Sequence, residues 1–130
     1  MIAYLWIALG GALGSVARFA LNGVVSARVG ETFPWGTILV NVAGSFVIGG
    51  LSALTLPEAR LSTEARAFAT QFLMIGVCGG FTTFSSFSLQ TLQLLRDGNL
   101  AHAGLNAVLS VGLCLVGVWL GFLIGQAVNR

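Results

Sequence analysis

The stretch Gly79-Gly80-Phe81-Thr82-Thr83 interrupts the third and longest of four apolar runs in the chain. That run covers about residues 67–95, and as one straight helix it would measure roughly 43 Å, against about 30 Å of bilayer hydrocarbon. Paired glycines weaken a helix, and threonines weaken it a little more. Unwound backbone survives in a membrane only where it is buried in protein or lines a cavity. The sequence therefore predicts a helix broken near Gly79–Thr83; a tilted helix with a glycine contact face is the alternative.

The composition places the whole chain in a membrane. Of 130 residues, 56% are hydrophobic and 8% are charged, whereas a soluble domain is about 25% charged. These values exclude a soluble enzyme, a disordered chain and a disulfide-stapled secreted domain. The apolar runs at about 2–26, 35–56, 67–95 and 100–128 are each long enough for one span. The prediction is an all-α membrane protein with four transmembrane helices in a single domain, 1–130, that is not an enzyme.

The charges are few and evenly divided between the two sides. All six basic residues are arginines and the net charge is +2, which is too small and scattered for nucleic-acid binding. Orientation in the membrane follows the Lys/Arg bias of the short loops. The side of the membrane that holds the N-terminus, the loop at 57–66 and the C-terminus carries Arg60, Arg66 and Arg130. The other side carries Arg28 and Arg96, together with Arg18, which lies in the half of the first span nearest that side. The sequence therefore predicts insertion in both orientations.

Small residues recur at helical spacing inside the spans. Pairs of glycines four residues apart let helix backbones approach closely, and they occur at Gly10/Gly14, Gly76/Gly80 and Gly117/Gly121/Gly125. The spacing predicts tight helix packing without naming the partner helix. Cys78 and Cys114 lie within apolar runs and are interpreted as small packing residues.

Polar residues form stripes on predicted helix faces. One stripe is Thr37, Asn41 and Ser45; a second is Asn106, Ser110 and Cys114; after the break, Phe84 and Phe87 share a face among Ser85, Ser86 and Ser88. Such residues could simply hydrogen-bond between helices. Two asparagine stripes beside a broken helix favour a polar pathway, because polar groups at this depth are usually functional.

The chemistry of these stripes favours an anion. No carboxylate lies inside a predicted span, whereas a cation path would be expected to carry acidic rings. Hydroxyls and amides can donate to an anion, and aromatic rings have a positive edge. Arg18 is the only charge within a span. It could serve the pathway, or it could snorkel or pair with a backbone carbonyl.

Three blocks of sequence together resemble the Fluc (CrcB) family of fluoride channels. They are Gly10-Gly-Ala-Leu-Gly14-Ser-Val-Ala-Arg18-Phe19, Gly36-Thr37-Ile-Leu-Val-Asn41-Val-Ala-Gly44-Ser45-Phe46, and Gly79-Gly80-Phe-Thr82-Thr83-Phe84-Ser85-Ser86-Phe87-Ser88. The resemblance covers nearly the whole chain. It implies a passive, fluoride-selective channel in the cell (inner) membrane that exports fluoride, and an antiparallel dual-topology homodimer with two pores.

The resemblance also implies roles for individual residues. Asn41 would be the pore asparagine, and Phe84 and Phe87 the pore phenylalanines. The polar track would continue through the residues Thr37, Ser85, Ser86, Ser88, Ser110 and Asn106. Backbone carbonyls of Gly79 and Thr82, with the same pair from a second copy, would hold a structural Na⁺, and Arg18 would match an arginine of the first span. Gln90 stands where the family often has an acid, and Asn106 where it often has tyrosine.

Two other classes compete with the channel interpretation. A small multidrug resistance transporter also has four short spans, but its proton exchange needs a carboxylate within the membrane, and this chain has none in a predicted span. A non-conducting membrane scaffold is the other class. Buried amide stripes and a broken helix argue against it, because lipid-facing spans gain nothing from buried amides.

Overall fold

The computed structural model describes residues 1–129, and every regular element in that range is helical. The helices are α1 (Ile2–Val29), α2 (Trp35–Leu54), α3 (Thr63–Phe68), a π-helical segment (Ala69–Cys78), α4 (Gly79–Phe81), α5 (Phe84–Arg96) and α6 (Leu100–Asn129). Four stretches are long and apolar enough to cross a membrane: Ile2–Val29, Trp35–Leu54, Thr63–Arg96 and Leu100–Asn129. The predicted fold of four transmembrane helices is confirmed, and the chain is a multi-pass membrane protein. Arg130, which enters the arginine comparison above, lies outside the described residues.

The third span is broken where the sequence predicts. Thr82 and Thr83 are extended, with φ/ψ of −80°/157° and −153°/111°, and α5 begins at the next residue. Gly79 and Gly80 themselves remain helical within α4. The reason is packing: a Cβ on Gly80 would lie 2.9 Å from the Cα of Gly11 on α1. Gly80 therefore serves a helix contact, and Thr82 and Thr83 make the break.

The span before the break contains a feature that the sequence did not predict. Residues Ala69–Cys78 form a π-helix, a conformation that is rare and usually limited to single turns near functional sites. The segment is mostly apolar, as are the α-helices α1 and α2. Because hydrophobic pattern is the main signal read from sequence, nothing in this stretch distinguishes a π-helix from an α-helix.

The glycine pairs join helices of the same chain. A Cβ on Gly76 of the π-helical segment would lie 2.9 Å from the Cα of Gly10 on α1, and one on Gly121 of α6 would lie 3.0 Å from the backbone nitrogen of Gly50 on α2. The most extensive contacts in the fold are those between α2 and α6, followed by those between α1 and the π-helical segment. Close backbone approach at glycine thus builds two helix pairs, and the polar stripes lie near their junction.

The connections are short and locally stabilised. Gly30 ends α1 with a φ of 80° and donates its N–H to the carbonyl of Ser26 at 2.9 Å. The Ser62 hydroxyl accepts the N–H of Ala65 at 3.2 Å and caps the start of α3. Gly98, with a φ of 75°, turns the chain between α5 and α6.

Candidate functional site

Three cavities follow one another from one end of the helix bundle to its middle. The outer cavity, about 520 Å³, lies where α1 ends and α2 begins and is lined by Asn22, Glu31, Gln90 and Asp97 among others. The arginine cavity, about 350 Å³, is lined by Ser15, Arg18, Phe19, Asn22, Thr37, Val40, Thr83 and Ser86. The phenylalanine cavity, about 380 Å³, is lined by Asn41, Ser45, Thr83, Phe84, Phe87 and Ser110 among others. Asn22 borders the first two cavities and Thr83 the last two, so the three form a row.

The arginine cavity is lined by donors that have no partner among the described residues. Within residues 1–129, the half-buried Arg18 guanidinium makes no hydrogen bond and no ion pair. Thr37 is 3% exposed, and its hydroxyl oxygen is buried without a hydrogen-bond partner among the described residues. An unsatisfied buried hydroxyl costs about 1–3 kcal/mol. The cavity is thus lined by two donor residues that have no partner in the part of the chain that the structure describes.

Asn41 is locked to the break in the third span. Its Nδ2 donates to the carbonyl of Thr83 at 3.0 Å, and its Oδ1 accepts the Thr83 N–H at 2.7 Å. The pair of bonds fixes which end of the amide is nitrogen, since the Thr83 carbonyl can only accept and its N–H can only donate. One of the two N–H groups of Asn41 is therefore committed to the backbone. A single N–H remains for the cavity.

Two side chains accept N–H groups that would, in a continuous α-helix, donate to the carbonyls of Gly79 and Thr82. In such a helix the Thr83 N–H would bond the carbonyl of Gly79, four residues earlier, but it bonds Asn41 instead. The Ser86 N–H would bond the carbonyl of Thr82, but it bonds the Thr83 hydroxyl at 3.1 Å. The break therefore redirects the N–H groups that would normally reach the two carbonyls expected to hold a cation.

The two predicted stripes meet across the phenylalanine cavity. Asn41 and Ser45 of α2 line it opposite Ser110 and Cys114 of α6. The rings of Phe84 and Phe87 lie 5.1 Å apart, centroid to centroid, at an angle of 51°. Cys78 also borders this cavity, so both thiols, interpreted from sequence as packing residues, lie on its wall.

Asn106 lies behind this wall and lines none of the three cavities. It is 1% exposed, donates to the Thr91 hydroxyl at 2.9 Å and accepts the Ser110 hydroxyl at 3.2 Å. Ser85 and Ser88 are exposed and also border none of the three cavities. The structure thus places Asn106 as a support for Ser110, and it places two of the predicted hydroxyls on the outer surface of α5.

Sequence reasoning missed three polar residues of the site. They are Ser15, Asn22 and Thr91. A signal was present for each of them. Ser15 and Asn22 lie three residues before and four residues after Arg18 and so share its helix face, and Thr91 follows Phe87 by four residues.

Comparison with known proteins gives one consistent result. The family model described as CrcB-like protein, Camphor Resistance (CrcB), matches residues 5–122. A fluoride-specific ion channel FluC of Opitutus terrae is 60% identical over 99% of this chain and 96% of its own length. Proteins of the same name from Methylocella silvestris and Rhodospirillum rubrum are 54% and 50% identical, each over 98% of this chain and over 95% and 97% of their own lengths. The chain therefore belongs to the CrcB-like family.

Proposed function

We propose that this protein is a passive, fluoride-selective channel that exports fluoride across the cell (inner) membrane. The observation that carries the proposal is the arginine cavity, which is lined by Arg18 and Thr37, two donors without a hydrogen-bond partner in the described chain. The names of the similar proteins support fluoride as the ion.

The row of cavities suggests the order of events along the path. An anion enters through the outer cavity, and Arg18 attracts it inward. It then meets the free N–H of Asn41, the ring edges of Phe84 and Phe87, and the Ser110 hydroxyl. Fluoride is small and strongly hydrated, so each step must replace water by a donor without binding the ion too tightly to leave. No carboxylate borders the arginine or the phenylalanine cavity among residues 1–129, so no proton coupling is proposed and transport runs downhill.

A structural Na⁺ at the break is part of the proposal. Its ligands would be the backbone carbonyls of Gly79 and Thr82, with the same pair from a second copy. The residues fit a hard cation, because carbonyl oxygens are suitable ligands and because Asn41 and the Thr83 hydroxyl take the N–H groups that would otherwise compete. The ion would supply charge compensation for two sets of carbonyls and hold two breaks together, and it would not be transported.

The functional unit would be an antiparallel homodimer with two pores. Phe84 is 74% exposed in the single chain although it borders the phenylalanine cavity. Leu89, Leu92 and Leu95 of α5 are also more than half or nearly half exposed, at 57%, 51% and 46%. A second copy against α5 would close the cavity and place Ser85 and Ser88 at the dimer interface. The even arginine distribution supports the opposite insertion that this arrangement needs.

The test is fluoride efflux from proteoliposomes, read with a fluoride electrode. Purified protein should release fluoride electrogenically from loaded vesicles, with no proton gradient imposed. Vesicles that contain the protein but are loaded with chloride should release no chloride, and protein-free vesicles should release no fluoride. Flux that required a proton gradient would favour the small multidrug resistance type of exporter. Absence of flux from folded protein would favour a scaffold.

A further inference from the structure

A chain of three hydrogen bonds runs from α5 to α6 behind the phenylalanine cavity. The Thr91 hydroxyl donates to the Phe87 carbonyl at 2.7 Å, the Asn106 amide donates to the Thr91 hydroxyl at 2.9 Å, and the Ser110 hydroxyl donates to the Asn106 carbonyl oxygen at 3.2 Å. Of the three side chains that form these bonds, the Ser110 side chain borders the cavity, whereas Thr91 and Asn106 do not line it. Asn106 is 1% exposed and Ser110 is 5% exposed.

The direction of every bond in this chain follows from its first acceptor. A backbone carbonyl has no hydrogen to give, so Thr91 must donate to Phe87 and can only accept from Asn106. Asn106 must then turn its nitrogen toward Thr91 and its oxygen toward Ser110. The Ser110 hydroxyl is left to donate to Asn106, and its hydrogen points away from the cavity that the ion would occupy.

We infer that Thr91 is a positioning residue that sets how tightly Ser110 holds fluoride. The inference rests on the proposed function, since it assigns a role along that same path. With the Asn106 oxygen fixed beside it, the Ser110 hydroxyl can turn to donate to an arriving ion and then return to Asn106 as the ion leaves. The competing acceptor keeps the ion weakly bound, as rapid conduction requires.

Loss of the Thr91 hydroxyl has a defined consequence. Thr91→Val keeps the shape but offers neither the acceptor for Asn106 nor the donor to Phe87. The Asn106 amide can then rotate by half a turn and present its nitrogen to Ser110, which accepts and turns its own hydrogen into the cavity. Fluoride is then bound more tightly and leaves more slowly, so maximal flux falls while flux at low fluoride is relatively preserved.

The measurement is the ratio of the initial efflux rate at a low internal fluoride concentration to that at a high one. Tighter binding saturates the path earlier and raises this ratio. We expect Thr91→Val to raise it several-fold, up to about tenfold for one hydrogen bond, and to lower the maximal rate. Thr91→Ser keeps the hydroxyl and should match wild type. Thr55→Val, which makes the same change at a hydroxyl directly after the end of α2 that borders none of the three cavities, is the matched control.

A second variant keeps the inference testable if Thr91→Val does not fold. Asn106→Leu removes the competing acceptor directly and should raise the same ratio. The double variant should shift it no further than the larger single change, because both act through Ser110. The inference is overturned by an unchanged ratio in the folded variants, by additive shifts, or by a Thr91→Ser variant as altered as Thr91→Val. Wild-type protein without fluoride flux would instead overturn the proposed function.

Discussion

Asn41 on α2 and Thr83 in the break of the third span are joined by two hydrogen bonds between one side-chain amide and one backbone residue, at 2.7 and 3.0 Å. The amide oxygen stands in for the helical acceptor that the Thr83 N–H lacks. It thereby holds the break open beside the phenylalanine cavity and keeps one N–H for an ion. Pore chemistry and backbone structure thus depend on the same side chain.

Asn41→Asp should nearly abolish fluoride flux. The carboxylate can still accept the Thr83 N–H, but it faces the Thr83 carbonyl without a donor and adds negative charge where an anion must pass. Efflux from proteoliposomes measures the loss, and size-exclusion chromatography checks the fold. Asn129→Asp is the control, because Asn129 accepts the Arg60 N–H outside the three cavities and its carboxylate could do the same. Equal flux in both variants would contradict a pore role for Asn41.

Phe84→Ile and Phe87→Ile should each reduce flux strongly and leave the protein folded. Isoleucine keeps much of the bulk but has no aromatic edge to offer an anion. The same efflux assay gives the result. Phe122→Ile makes the same change at a half-buried ring on α6 that borders none of the three cavities, and it should conduct normally. Wild-type flux in both pore variants would show that these rings only fill space.

Replacing Na⁺ in the buffer by a large organic cation should weaken the dimer and stop flux. The carbonyls of Gly79 and Thr82 would lose the cation that compensates them, and each unsatisfied carbonyl in the membrane costs several kcal/mol. Dimer dissociation in detergent, followed with and without Na⁺, measures the first effect, and efflux measures the second. A dimer and a flux that are both indifferent to Na⁺ would rule the site out.

Gly121→Ala should destabilise the protein by about 1–3 kcal/mol, because the added methyl group would lie 3.0 Å from the Gly50 nitrogen and closer still to the Phe46 carbonyl. Gly112→Ala on the same helix meets nothing within 4 Å and should stabilise it by up to about 1 kcal/mol through helix propensity. Thermal unfolding of the two purified variants, compared with wild type, is the measurement. Equal stability of the two would mean that α2 and α6 do not pack through this glycine.

A reporter fused at the C-terminus should be found on both sides of the membrane in comparable amounts. The arginines flanking the spans are balanced, so neither orientation is favoured. Substituting Leu61→Arg, at an exposed loop position, should shift the population toward one orientation and thereby show that the assay can detect a bias. A single strong orientation of the unmodified chain would exclude dual topology.

The sequence by itself determined the membrane class, the four spans and the broken third span. These follow from composition and local pattern: apolar runs of sufficient length must be helical in lipid, and Gly-Gly-Phe-Thr-Thr weakens one helix locally. It also predicted Asn41, Phe84 and Ser110 as candidates, because polar or aromatic residues at helical spacing can be recognised as stripes in a sequence. The structure places these three residues around one cavity, as expected if the stripes face the interior of the helix bundle.

Tertiary structure alone decided what each polar group bonds. Four features depend on distances between helices that are far apart in sequence. They are the hydrogen bonds between Asn41 and Thr83, the position of Asn106 behind Ser110, the hydrogen bond from Asn106 to Thr91, and the position of Arg18 beside a cavity. The π-helical segment was also decided by the tertiary structure, since the hydrophobic pattern of its residues is compatible with either an α-helix or a π-helix. A periodic pattern tells which face of a helix is polar, but hydrogen bonds are short and directional, so only the packed positions of the partner helices fix which donor meets which acceptor.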